Sequence, residues 1–364
     1  MSTDLGIFYL EESEPVFRHH FTQLVGPIRN SWTYYFDKSV FLQSNHQRRV
    51  ACFQIPYPYD KSIEDTIDEI YDFVDCIVMM GSELHTRTVD FVRRYDRPKI
   101  RWFLCGSLTP PLINSQTYKF LDWFTTSVHF YKNVRPSTLY SLNPYEPKPF
   151  VFDALLGRRK PHRSHAHDFI NTNELLSQSI TTYVDDYSNN FKDPTKWIWE
   201  DDGLEDHENV QWTVERIKYY GYKMSLSQVI PIKVYNQTAY SLVAETSFDS
   251  DFVFFTEKTV KPILARRLFI LLSGRYALAT LRELGFKTFG SIIDESYDEI
   301  EQTADRHQAA LEQLKWLCSQ DQGRILSQCR DIVDHNFNLM YGKDWYNEIR
   351  PPMIRILLNQ SHQS

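Results

Sequence analysis

With 364 residues, 42% hydrophobic and 24% charged, the chain can bury a substantial core; global disorder is excluded and two domains are expected. A formal charge of −7 argues against a surface that binds nucleic acid throughout, though a local basic groove stays open. Twelve glycines exclude collagen-like and Gly-rich linker classes. Aromatic residues reach 15%, which large-side-chain packing explains first and a carbohydrate or nucleotide cleft second.

The N-terminal segment Met1 to Pro15 carries early acids and no basic region followed by an apolar one, so no cleaved signal peptide is expected. Five scattered cysteines form no CxxC pair and no zinc spacing, as suits buried thiols in a reducing compartment. The apolar run Leu268 to Leu272 is far too short to span a bilayer. A soluble, cytoplasmic protein with no membrane span is expected.

Short apolar runs at Val50 to Gln54, Cys76 to Met80 and Ile100 to Cys105 read as strands ending in polar or small residues. Helix-compatible segments at Ser62 to Val74 and Thr86 to Arg94 lie between them, which predicts βαβ units and a parallel sheet. Ligands of such sheets bind at the carboxyl ends of the strands. Pro144, Pro147 and Pro149 then interrupt any regular element and set the expected boundary, with domains at 1–149 and 150–364. The alternation restarts with a strand from Phe150 to Leu156, a turn at Gly157, a helix through His167 to Gln178 and a strand from Ile180 to Val184. A Trp-rich acidic segment, Trp197 to Gly203, reads as an insertion or lid. Helices are expected at Ile300 to Leu317 and Ile325 to Met340; the last stretch, Trp345 to Leu358, is broken by Pro351-Pro352 and could cross back onto the first domain.

The most informative segment is Tyr240 to Thr246, a buried strand ending in Glu245, followed by Phe255-Thr256-Glu257-Lys258. Thr256 is an N-cap candidate that places Glu257 and Lys258 in a helix's first turn. Free N–H groups and the helix dipole there suit a diphosphate; a lysine adds positive charge and a carboxylate can take ribose hydroxyls. An ordinary capped helix with a surface Glu-Lys pair fits the same residues.

This pattern, with Arg267 to Gly274, resembles the donor-binding region of α1,3-fucosyltransferases and related GT-B glycosyltransferases. The longer form, through Leu281 to Phe289 and Ile293 to Asp298, is similar to uncharacterised glycosyltransferases of phage and bacteria. The likeness covers about the second half of the chain. It implies an α/β fold of the GT-B kind, two Rossmann-like domains facing across a cleft. It also implies sugar transfer from a nucleotide sugar, UDP- or GDP-linked, to a hydroxyl of a carbohydrate acceptor without a metal, by a hexosyltransferase or fucosyltransferase type of enzyme. Carried over, Lys258 would neutralise the diphosphate and Glu257 would bind the ribose, with Glu245, Thr246 and Thr256 completing the donor set. Thr246 stands where the family has Asn, and Phe254 where it has Tyr, so the sugar and nucleotide stay open. The basic turn Gly157 to Arg163 matches the family's diphosphate-binding arginine best at Arg163.

For a general base, the segment Gly81 to His85 follows a strand and offers Glu83 first and His85 second. Asp249-Ser250-Asp251 is formally a DxD, but its place in a polar loop reads as loop chemistry, and no obligatory metal is expected. His162, His165 and His167 cluster without a carboxylate to complete a metal site. Two other readings stand beside the enzyme: a phage-type glycosyltransferase acting on hydroxymethylated DNA bases, and a nucleotide- or glycan-binding protein without turnover.

Overall fold

The computed structural model describes residues 4–9, 32–55, 60–81, 84, 86–119, 121–134, 136–184, 210–212, 216–219, 222–225, 229–248, 251–345 and 347–358. It is a mixed α/β protein with two parallel sheets. The chain divides into two compact units: Met1–Asp122 with Ser250–Phe252 and Asp344–Ser364, and Trp123–Asp249 with Val253–Lys343. Residues 123–149, which precede and include the proline-rich stretch, group with the second unit.

The first unit is built on β1 (Leu5–Tyr9), β2 (Thr33–Tyr35), β3 (Arg48–Gln54), β4 (Cys76–Gly81), β5 (Ile100–Leu104) and β7 (Gln116–Lys119), with the short β6 (Gly106–Leu108) between the last two. They pair in the order β2-β1-β3-β4-β5-β7, every neighbour parallel. This is a doubly wound order, in which the chain first extends one way from β1 and then the other. The central strands are nearly continuous apolar runs because a parallel sheet is covered on both faces. Phe8, Phe53, Trp102 and Phe103 are fully buried there, and Phe8 stacks on Phe41 at 5.4 Å. The helix Ser62–Ile70 buries Ile63, Ile67 and Ile70, one face at helical spacing. His46 bridges Asp4 at 2.5 Å and Tyr35 at 2.7 Å, tying the starts of β1 and β3 to β2. Its ring lies so close over Gly6 that a Cβ there would come within 2.4 Å of it, so any other residue would force the ring to shift.

The last helix, Arg350–Leu358, belongs to this first unit. Arg48 Nε donates to the Leu357 carbonyl at 2.7 Å, and its guanidinium also reaches the Ile356 carbonyl. Pro351 and Pro352 open this helix rather than break it, since proline in a first turn gives up no hydrogen bond.

The second unit carries β8 (Phe150–Arg158), β9 (Ser179–Val184), a three-stranded antiparallel sheet of β10 (Val210–Trp212), β11 (Arg216–Tyr219) and β12 (Tyr222–Ser225), and then β13 (Thr238–Ala244), β14 (Phe252–Phe254) and β15 (Phe269–Leu272). Its main sheet has the order β15-β13-β8-β9, again wholly parallel. The chain leaves β8 for β9 on one side and returns to β13 on the other, so the order reverses between β8 and β13. The helix expected at 167–178 begins earlier, at Pro161, and ends at Thr172. Proline favours that start, and Glu174, with φ 58°, ends the run before a 3₁₀ turn at Leu175–Gln178. The helices Thr303–Cys318 and Gln322–Gly342 bear out those expected at Ile300 to Leu317 and Ile325 to Met340.

Beneath β8 and β13 sits a buried ion pair. Arg267 donates to Asp153 at 2.7 Å, and its remaining donors meet the Tyr235, Thr238 and Tyr240 carbonyls and the hydroxyls of Thr238 and Ser241. Both side chains are 3% exposed, so the pair stands only because its hydrogen bonding is complete. Arg267 lies in the segment that carries the family resemblance, and its contacts are within the fold.

Candidate functional site

The carboxyl ends of β8 and β13 are where a doubly wound sheet leaves a crevice. Two helices of the second unit start there. The first, Pro161–Thr172, follows β8 through Gly157 (φ 61°), a bulge and Lys160 as N-cap. The second, Glu257–Leu264, follows β14 with Thr256 as N-cap, whose hydroxyl accepts from Lys258 N at 3.3 Å. The sequence placed this cap, because a threonine ahead of an acid and two lysines has few other local uses.

Glu245, the residue after β13, is fully buried and organises the second helix start. Its carboxylate accepts from Thr256 N at 3.0 Å, the Thr256 hydroxyl at 2.6 Å, the Thr259 hydroxyl at 2.6 Å and Thr246 N at 3.3 Å. Four donors on one carboxylate fix the loop after β13 against the helix. Lys258 Nζ lies over the same loop, 2.7 Å from Glu257, 3.2 Å from the Thr256 hydroxyl and 3.3 Å from the Thr246 hydroxyl. Burial pushes the Glu257 carboxyl up, but the charges of Lys258 and Lys261 outweigh it and hold it below the usual range, so it is ionised. Lys261, one turn on, is buried and is lowered by that burial to about 8, with Glu257 as its main charge partner.

From the β8 side, three residues of the segment Lys160 to Arg163 reach across to β13 and its loop. Lys160 Nζ donates to the Thr246 carbonyl at 2.9 Å, His162 Nε2 to the Glu245 carbonyl at 2.8 Å and Arg163 to the Ala244 carbonyl at 3.3 Å. Phe248 stacks on the His162 ring at 4.0 Å, with His307 at 5.8 Å. Arg306 closes the rear, donating to the Phe248, Ser273, Ile300 and Glu301 carbonyls at 2.8–3.2 Å. The loops after β13 and β15 are thereby held by one guanidinium.

Arg163, Glu245, Thr246, Thr256, Glu257 and Lys258 are thus gathered at one strand-end crevice of the second unit. Glu83 and His85 lie outside the described residues, as do Trp197, Trp199, Tyr57, Tyr59, Asp249 and Ser250. Asp251 pairs with Arg93 at 3.1 Å within the first unit. Among the described residues no three His, Cys, Asp or Glu side chains are grouped to hold a metal, and no helix is long and apolar enough to cross a membrane. Of the histidine cluster, His162 bonds the Glu245 carbonyl and His167 stacks on Tyr183 at 4.4 Å. Phe248 and His307 join the site without having been singled out, and Lys160 joins it from the basic turn read at 157–163.

No protein-family model and no curated protein matches the sequence. Among solved structures, the chain is similar to an α1,3-fucosyltransferase crystallised with GDP, at 8% identity and a TM-score of 0.34, covering 99% of this chain and 92% of that one. A second α1,3-fucosyltransferase structure aligns at 10% identity and a TM-score of 0.30, covering 92% and 90%.

Proposed function

We propose that the chain is a glycosyltransferase of the GT-B kind that transfers a sugar from a UDP- or GDP-linked donor to a hydroxyl acceptor, without a metal in the transfer. The observation that carries this reading is the convergence of two helix N-termini with Lys160, Arg163 and Lys258 at the β8–β13 crevice. Backbone N–H groups, an ammonium and a guanidinium together suit the oxygens of a diphosphate and the charge that grows on it as the sugar leaves. An ionised Glu257 beside them suits ribose hydroxyls, with Glu245, Thr246 and Thr256 shaping the loop it faces. The base that takes the acceptor proton is assigned to Glu83, with His85 as its alternate.

Calorimetry of the purified chain against a panel of GDP- and UDP-sugars tests the reading. Saturable binding of one of them, followed by transfer to a carbohydrate, is the expected result. Binding with neither transfer nor hydrolysis would select a nucleotide-binding protein, and no binding to any member would overturn the assignment.

A further inference from the structure

The Pro161–Thr172 helix places a histidine in its second position, at the mouth of the β8–β13 crevice. The Nε2–H of His162 is committed to the Glu245 carbonyl at 2.8 Å, which fixes the tautomer and leaves Nδ1 as a lone-pair acceptor. That nitrogen is buried and meets no donor among the described residues, in a side chain only 2% exposed. A buried acceptor without a donor is uncommon and calls for an account. Protonation does not supply one, because burial, together with the neighbouring Arg163 charge, holds the imidazole neutral. Phe248, a half-buried side chain of the loop after β13, lies flat over one face of the ring at 4.0 Å, so it covers that face and not the in-plane direction of the Nδ1 lone pair.

The cationic groups of this crevice are donors: Lys160, Arg163 and Lys258, beside two helix starts. A diphosphate at neutral pH offers acceptors alone, so a neutral lone-pair nitrogen repels it while the cations hold it. What Nδ1 suits is a hydroxyl or an N–H carried on the same ligand as the phosphates. We infer that His162 accepts, through Nδ1, a hydrogen bond from the nucleoside part of the ligand, a ribose hydroxyl or a base N–H. The inference rests on the reading of the crevice as a nucleotide-diphosphate site.

The test is nitrogen-15 NMR of the full chain labelled at histidine, titrated with GDP, UDP and inorganic pyrophosphate, with binding followed in parallel by calorimetry. A nucleotide that binds is expected to move the His162 Nδ1 resonance upfield, while pyrophosphate binds and leaves it in place. Repeating the titration with the 2′,3′-dideoxy form separates the two donors: a retained shift assigns the base N–H, and a lost one the ribose hydroxyl. A His162→Leu variant, which also loses the Glu245 bond, is expected to lose about tenfold more affinity for the nucleotide than for pyrophosphate. A His162→Gln variant, which restores an acceptor, should recover part of that loss. A nucleotide that binds without moving Nδ1 overturns the inference and leaves the site standing. If neither the nucleotides nor pyrophosphate bind, the site reading fails with it.

Discussion

His162 donates through Nε2 to the Glu245 carbonyl at 2.8 Å, joining the first turn after β8 to the residue that follows β13. The two residues are 83 positions apart in sequence, and the bond closes the point where the strand order reverses. The same glutamate's carboxylate faces the other way and holds the Thr256 cap. One residue therefore connects both helix starts, its carbonyl serving one and its side chain the other.

The imidazoles make stability depend on pH. Burial holds His162 at about 2 and His307 at about 4, both below the ordinary histidine value of about 6.5. Between those values the unfolded chain binds more protons than the folded one, so stability rises with pH in that window. It is fully present above about 6.5 and falls as the solution is acidified toward the folded values. Each ring should contribute a loss of roughly 2 kcal/mol between pH 7.5 and pH 5. Urea midpoints measured across that range in the wild type and in His307→Gln check it. The variant is expected to show the shallower pH dependence, and parallel curves would refute the assignment.

Breaking the Arg267–Asp153 pair from one side should be severe. Arg267→Ala leaves a carboxylate in the core with only Thr238 and Ser241 as donors. A loss of about 3–5 kcal/mol is expected in chemical denaturation, because a buried charge without its partner costs more than the pair gains. The simultaneous change of Asp153 to Asn should return part of it.

Lys258→Ala separates binding from folding. Its ammonium bonds two hydroxyls and the buried Glu257 carboxylate, which Lys261 also faces. The chain should stay folded, because Glu257 keeps Lys261 as its cation, with a lowered melting temperature, while affinity for a sugar nucleotide falls at least tenfold, as for a charge-assisted phosphate contact of about 1.5–3 kcal/mol. Full donor affinity in the variant would remove Lys258 from the site and leave the fold untouched.

Arg48→Ala should release the C-terminal helix alone. The guanidinium caps the Ile356 and Leu357 carbonyls, which have no intrahelical partner. Hydrogen exchange should speed up across Arg350–Leu358 while protection in β3 and β4 stays as it was. Uniform loss of protection would mean that the helix is needed for the whole first unit.

Much of this was legible from local pattern. The apolar runs at Val50, Cys76 and Ile100 are strands because a sheet covered on both faces demands continuous apolar residues. Thr256 was readable as a cap because an N-cap threonine acts on residues two or three ahead of it. What could not be read were the bonds made by groups brought together only by the strand order. The carboxylate of Glu245 looked like a ligand contact, and its four donors come from residues up to 14 positions away in sequence. Lys160 donates to Thr246 across 86 positions, a pairing that β8 and β13 create by lying side by side. At Pro351-Pro352 proline had been read as a break; both residues stand in a first turn, where the missing N–H is no loss.

Arg306 gives the C-terminal helices a task that their own surface does not reveal. It stands in the first turn of Thr303–Cys318, and its hydrogen bonds end on the loops after β13 and β15. The crevice is therefore assembled late along the chain, from a residue synthesised well after the last strand of its sheet. A chain cut just short of Arg306 would contain every candidate donor-binding residue and still lack the brace that sets Phe248 over His162.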